Sequence, residues 1–244
     1  MRARVFPDHE AMSAAAADVV ARRLAEDPST VLMLPTGTTP LGMYRRLVEM
    51  HRSGEVSFAR ATFFNLDEYL GLMPDHSASY HVYMKEPFYG LIDADPARIF
   101  VPDGTAPEAE CERYEASIKE AGGIDVCVLG IGRNGHIGFN EPGASFDSRT
   151  RVVELSDSTR MVNAGDFEAN RAPERAITVG MATIFESGEV LLLASGTNKA
   201  GAVAAVVEGD VSENMPASML KRHPRAGLFL DEDAASDLGS GVAG

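Results

Sequence analysis

Five runs of this chain are apolar almost without interruption: Thr30 to Leu34, Ala61 to Asn65, Ile124 to Gly130, Glu189 to Ala194 and Arg225 to Leu230. A half-exposed strand would alternate apolar and polar side chains, so unbroken runs of this length read as strands buried on both faces. The segments between them carry the helical period. Met12, Ala16, Val19, Val20 and Leu24 mark one apolar side of a helix that opens at Pro7 and Asp8. A second helix starts at Pro40 and runs to Met50. A third runs from Pro107 to Ala121 with Cys111, Tyr114 and Ile118 spaced by three and four, and a further one from Asn198 to Glu208. Arg4–Phe6, Arg98–Val101 and Thr150–Glu154 read as shorter strands, and Ser79–Gly90 as a helix. Strand and helix in alternation predict an α/β fold, a parallel sheet with helices on both faces. No repeat, linker or shift of composition divides the chain. One domain is therefore expected over residues 1–230, followed by a flexible acidic tail, DEDAASDLGSGVAG, over 231–244.

The charge balance narrows the partners. Net charge is −14 over 244 residues, with no cluster of Lys or Arg. Nucleic acid and anionic membranes need a basic footprint, so neither is expected. An anionic small molecule remains open through a local positive site. Cys111 and Cys127 form no metal or redox motif and read as reduced core residues. The start, MRARVFPDHE, lacks the apolar stretch of a secretion signal, and no apolar run reaches membrane-spanning length. A cytoplasmic protein is expected.

The polar residues that carry chemistry follow four of the strands. VLMLPTGTTPLGMY is strand, turn and helix, and the backbone N–H groups of Gly37, Thr38 and Thr39 lie beside the positive end of a helix dipole. Such a turn suits phosphate or carboxylate, although an ordinary tight turn has the same composition. FFNLDEYLGL sets Asp67 and Glu68 directly after an apolar strand. Neighbours on a strand point to opposite faces, so at most one enters a given cleft; a helix cap or loop carboxylate is the alternative. NGHIGFNEPG, too rich in Gly and Pro for a helix, holds His136 five residues before Glu141. A His beside a carboxylate suits proton transfer near neutral pH. A metal site would have to recruit His76, His81 and Glu68, which have no regular ligand spacing. VLLLASGTNKAGAV ends in a turn with Lys199 at the start of the next helix, either an anion partner or a solvated side chain.

Together these segments resemble the glucosamine-6-phosphate deaminase/isomerase family. LPTGTTPLGMY, FNLDEYLGLMPDHSASYHVYM, LGIGRNGHIGFNEPGASFDSRTRVVEL, AITVGMATIF and VEGDVSENMPASMLKRHP match in order from about Leu34 to Pro224. The resemblance implies a single-domain modified Rossmann-like sheet. It also implies conversion of an amino-sugar phosphate, glucosamine 6-phosphate, with water to fructose 6-phosphate and ammonia, using no metal or organic cofactor. By resemblance His136 opens the sugar ring, Glu141 and Asn134 orient the imidazole, and Asp67 removes the C2 proton. Gly37, Thr38, Thr39 and Lys199 take the phosphate. Three other functions stay open on the same scaffold: a deaminase-like protein acting on another amino-sugar phosphate, a 6-phosphogluconolactonase and a non-catalytic sugar-phosphate sensor.

Three departures from the family pattern carry expectations of their own. Many members have Asp where this chain has Asn134. Some members are hexamers activated by N-acetylglucosamine 6-phosphate. Arg151 and Ser145 match residues of that effector site, but Val153 replaces its Lys, so hyperbolic kinetics without activation are expected; a homo-oligomer is compatible with the sequence. Finally, Gly165 stands where the family carries a phosphate-gripping Arg, with Asp166 next to it; either Arg171 or Arg175 substitutes or the enzyme works at a high KM, and a substrate other than glucosamine 6-phosphate is the third reading.

Overall fold

The computed structural model describes residues 1–156, 159–161, 165, 167 and 172–239. Its centre is a seven-stranded parallel sheet in the order β1-β10-β9-β6-β2-β3-β5. The strands are β1 (Arg2–Phe6), β2 (Val31–Leu34), β3 (Thr62–Asn65), β5 (Ile99–Phe100), β6 (Val126–Gly130), β9 (Glu189–Ala194) and β10 (Ala226–Asp231). Every residue of β2 and β3 is buried, as the unbroken apolar runs required.

Alternate side chains of these strands feed two cores. Leu32, Leu34, Val128 and Leu191 pack against α1 (His9–Glu26) and α2 (Leu41–Arg52). Met33, Phe64, Cys127 and Leu192 pack on the other face, against α4 (Pro107–Glu120), α5 (Met181–Phe185) and α6 (Ala200–Glu208). Period-2 alternation thus splits each strand between two helical layers. Cys127 is buried as expected, whereas Cys111 is only half-buried; both are free thiols.

Three short strands form a separate sheet in the order β4-β8-β7, all antiparallel: β4 (Asp67–Tyr69), β8 (Arg175–Thr178) and β7 (Arg151–Glu154). The run expected at Thr150–Glu154 is therefore a strand, but not of the parallel sheet. The segment Ser79–Gly90 divides into α3 (Tyr80–Lys85) and a 3-10 turn at Tyr89–Leu91, and the helix expected from Asn198 begins as a 3-10 turn at Thr197–Lys199.

The packed chain also runs past the expected boundary at 230. Asp231 closes β10, and its carboxylate accepts from the Gly196 and Ala234 backbone N–H groups and from the Ser195 hydroxyl. Ala234 is fully buried in the core. Acidic composition suggested a tail here, but these hydrogen bonds offset the cost of burying the carboxylate.

Candidate active site

Strands β9, β6, β2 and β3 are neighbours, so the loops after them open onto one edge of the sheet. The chain leaves β2 toward β3 and leaves β6 toward β9, in opposite directions. The crevice between β2 and β6 is the topological switch point where open α/β sheets bind ligands.

The turn after β2 is anchored through its carbonyls. Pro35 O accepts from the Tyr44 hydroxyl at 2.5 Å, Gly37 O from the Tyr83 hydroxyl at 2.9 Å and Thr38 O from Leu41 N–H at 3.3 Å, while Thr39 O meets His9 Nε2 at 2.9 Å. In a trans peptide the N–H points opposite to the C=O. The anchoring of Pro35 and Gly37 therefore turns the N–H groups of Thr36 and Thr38 away from those anchors. Gly37 sits at φ +92°, which a residue with a β-carbon rarely adopts.

Asp67 opens β4, directly opposite Thr178 of β8, and is buried. Burial raises its pKa to about 8, with the charge of Glu68 adding to the rise. Glu68 turns the other way, as alternation along a strand demands, and accepts from Ser79 and Tyr80.

The loop after β6 folds back on itself through Gly132 N–H to His136 O at 2.9 Å and Gly135 N–H to Gly132 O at 3.0 Å. The His136 ring covers Gly132, where a β-carbon would lie 2.2 Å from it. Gly138 brings the loop onto the base: a β-carbon there would lie 3.5 Å from Asp67 Oδ2. His136 Nδ1 is 3.5 Å from Glu141 Oε2, an ion-pair distance rather than an aligned hydrogen bond. Asn134 donates to the same oxygen at 2.6 Å. Ser156 donates to Glu141 at 3.2 Å, and so does the Thr159 hydroxyl. Burial alone would raise the Glu141 carboxyl, but His136, Thr159 and Asn134 outweigh it and hold it at about 2.

Asn134 differs from its expected role as a direct orienter of the imidazole. Its Oδ1 receives the His136 backbone N–H at 3.3 Å, and its amide holds Glu141, so it acts on the ring through that carboxylate.

Lys199 donates to Ile131 O at 2.8 Å, at the root of the same loop. Burial lowers its pKa, and so does the positive charge of Arg133. Arg133, exposed in that loop, is a charge beside Lys199 that the sequence reading does not single out. Asp231, missed as well, fixes the turn that carries Lys199.

Among the described residues, the remaining candidates are not gathered with these. Arg171 and Asp166 lie outside the described residues. Gly165 is exposed, with nothing within 4 Å of where a β-carbon would stand. Arg175 is the exposed first residue of β8. It is three residues from Thr178, or about 10 Å along the strand, and so at the far end from Asp67. Glu68 is taken by Ser79, His76 caps the Ala78 N–H, and burial lowers the pKa of His81 near Pro102 and Asp103. Among the described residues no cluster of three or more His, Cys, Asp and Glu is arranged to hold a metal.

Comparison with known proteins adds an independent line. The family described as glucosamine-6-phosphate isomerases/6-phosphogluconolactonase matches residues 7–228. A protein of Rhodopirellula baltica named glucosamine-6-phosphate deaminase is 50% identical over 237 residues, covering 96% of this chain and 94% of that one. Glucosamine-6-phosphate deaminase 1 of Bacillus subtilis is 48% identical over 231 residues, covering 93% and 96%. A solved structure described as a monomeric glucosamine-6-phosphate deaminase superposes with a TM-score of 0.94 at 46% identity, covering 97% of this chain and all of that one. A 6-phosphogluconolactonase of Trypanosoma brucei shares the fold, with a TM-score of 0.78 at 20% identity.

Proposed function

This chain belongs to the family of glucosamine-6-phosphate isomerases and 6-phosphogluconolactonases, and within it we infer a glucosamine-6-phosphate deaminase, an enzyme that turns glucosamine 6-phosphate and water into fructose 6-phosphate and ammonia. The deaminase relatives, at 44–50% identity over nearly the whole chain, separate this activity from that of the lactonases, which share the fold at about 20%.

The residue roles we propose are those the family resemblance implies. His136, backed by Glu141, moves the proton from the anomeric hydroxyl to the ring oxygen, which opens the sugar. Asp67 then takes the C2 proton, acidified by the neighbouring C1 aldehyde, and an enolamine forms. A proton added at C1 gives the C2 iminium, which water hydrolyses to the ketone with loss of ammonia. The phosphate rests on the N–H groups of the turn Gly37 to Thr39, with Lys199 as counter-charge. Arg133, beside Lys199, supplies the second cation that Gly165 does not.

One observation supports this reading: Gly138, in the His136–Glu141 loop, lies within contact range of the buried carboxylate of Asp67. On this reading the sugar-opening and C–H-abstracting groups act on one bound sugar. The test measures ammonia from glucosamine 6-phosphate alongside hydrolysis of 6-phosphogluconolactone. Ammonia release with an inert lactone is expected. Lactone hydrolysis without ammonia would assign the chain to the other branch of the family, and binding of the sugar phosphate with neither product would make it a sensor.

A further inference from the structure

Glu68 is buried beside Asp67, yet the chemistry above does not use it. Its surroundings are those of a tether. Oε1 accepts from Tyr69 N–H at 2.8 Å, and Oε2 accepts from Ser79 Oγ at 2.6 Å and from Tyr80 N–H at 2.8 Å. Ser79 Oγ in turn receives His81 N–H at 3.2 Å, so its single proton is committed to Glu68. Among the described residues every hydrogen-bond partner of Glu68 is a donor. Ser79 caps α3, and from that helix Tyr83 reaches the carbonyl of Gly37. A continuous path thus runs from the base strand through Glu68 and α3 to the turn proposed to hold phosphate.

We propose that Glu68 is a positioning residue for the C2 deprotonation: its carboxylate fastens α3, and through Tyr83 the phosphate turn, to the strand that carries Asp67. The proposal rests on the deaminase reading and adds to it a residue that acts through the base rather than on the substrate.

Two consequences follow, one mechanical and one electrostatic. Shortening Glu68 releases α3 and with it the phosphate turn. Neutralising Glu68 removes a negative charge next to Asp67. A donor-only environment also makes Glu68 the ionised member of the pair, so the last proton stays on Asp67. The pKa values, raised by burial to about 7 for Glu68 and about 8 for Asp67, have that order. Among the described residues the phenols of Tyr80 and Tyr114 also face Asp67, and burial raises their pKa values well above the ordinary 10, so they stay neutral through this range. Facing Glu68 itself are the backbone N–H groups of Tyr69, Tyr80 and His81 and the Ser79 hydroxyl.

Two variants separate the consequences. Glu68→Gln keeps the length and loses the charge. The acidic limb of its kcat profile should move down by about one pH unit. Its kcat at the optimum should fall on the order of tenfold, because the amide NH₂ must face a donor. Glu68→Asp keeps the charge and loses the reach, so the limb should stay in place while KM for glucosamine 6-phosphate rises roughly tenfold. Carboxyl ¹³C NMR of Asp67 in wild type and Glu68→Gln reads the electrostatic effect without any turnover, and its midpoint should fall in the variant. Wild type that releases no ammonia would count against the deaminase reading and leave the NMR arm to judge Glu68. An unmoved Asp67 midpoint, or losses in both variants with no change of pH profile or of the KM and kcat split, would overturn the proposal.

Discussion

Gly138 lies within contact range of the carboxylate of Asp67, and Thr178 sets the tighter limit on a side chain there. A β-carbon on Gly138 would stand 3.5 Å from Asp67 Oδ2 and 3.0 Å from Thr178 Oγ1, and Thr178 is fully buried and accepts the Phe139 N–H at 3.1 Å. The residue also has φ +55°, a left-handed conformation that costs a non-glycine residue about 1–2 kcal/mol. Gly138→Ala should therefore lower the unfolding free energy by about 1–2 kcal/mol. It should also cut kcat on the order of tenfold, because the tight contact with Thr178 shifts the loop relative to the strand pair that holds Asp67. KM should change little, since the Gly37 turn and Lys199 are untouched. Wild-type kcat in this variant, measured beside its denaturation curve, would detach the glycine from catalysis.

Asp67 should be costly to the fold. Its native pKa is raised to about 8 by burial, above the ordinary value of 3.8. Between these two values the unfolded chain has released the proton while the native state retains it, so stability falls as pH rises through that window. Asp67→Asn removes the cost. The variant should be inactive, yet more stable than wild type by about 2–5 kcal/mol near pH 7.5, with the difference vanishing toward pH 4. Thermal unfolding across that range checks it; a variant less stable at every pH would contradict the assigned environment.

Glu141 has the opposite sign. Held at about 2 by His136, Thr159 and Asn134 against the effect of burial, it stabilises the fold above its ordinary 4.5, and this contribution is lost as pH falls toward 2. Glu141→Gln should thus lose stability at neutral pH and converge with wild type in acid. Parallel stability curves for the two proteins would refute that.

The charge of Arg133 acts on Lys199, two cations set close in a chain of net charge −14. Arg133→Ala should raise KM for glucosamine 6-phosphate roughly ten- to 150-fold with kcat little changed, the worth of one charge-assisted contact. Gly165→Arg in that background should recover part of the loss. An unchanged KM would place the second cation elsewhere.

The sequence disclosed the parallel core because its strands are unbroken apolar runs, and the polar turns that end them mark the site. The small antiparallel sheet was hidden. RAIT at Arg175–Thr178 is four residues without alternation, and its partners lie more than a hundred residues away at Asp67 and nearby at Arg151. Without β8 nothing in the sequence joins Thr178 to Asp67. Asp231 was misread because composition cannot tell a frayed acid from one held by Ser195, Gly196 and Ala234. The partners of Asn134 depend on loop geometry that two intervening glycines leave free.

The central claim, that Asp67 takes the C2 proton in a deamination, is tested most directly by turnover of glucosamine 6-phosphate in D₂O, with ammonia and C1 deuterium of the product followed together. Wild type should release ammonia and place deuterium at C1 of fructose 6-phosphate. Asp67→Asn should bind the substrate and do neither. Ammonia release and C1 deuteration by Asp67→Asn at the wild-type rate would contradict the account.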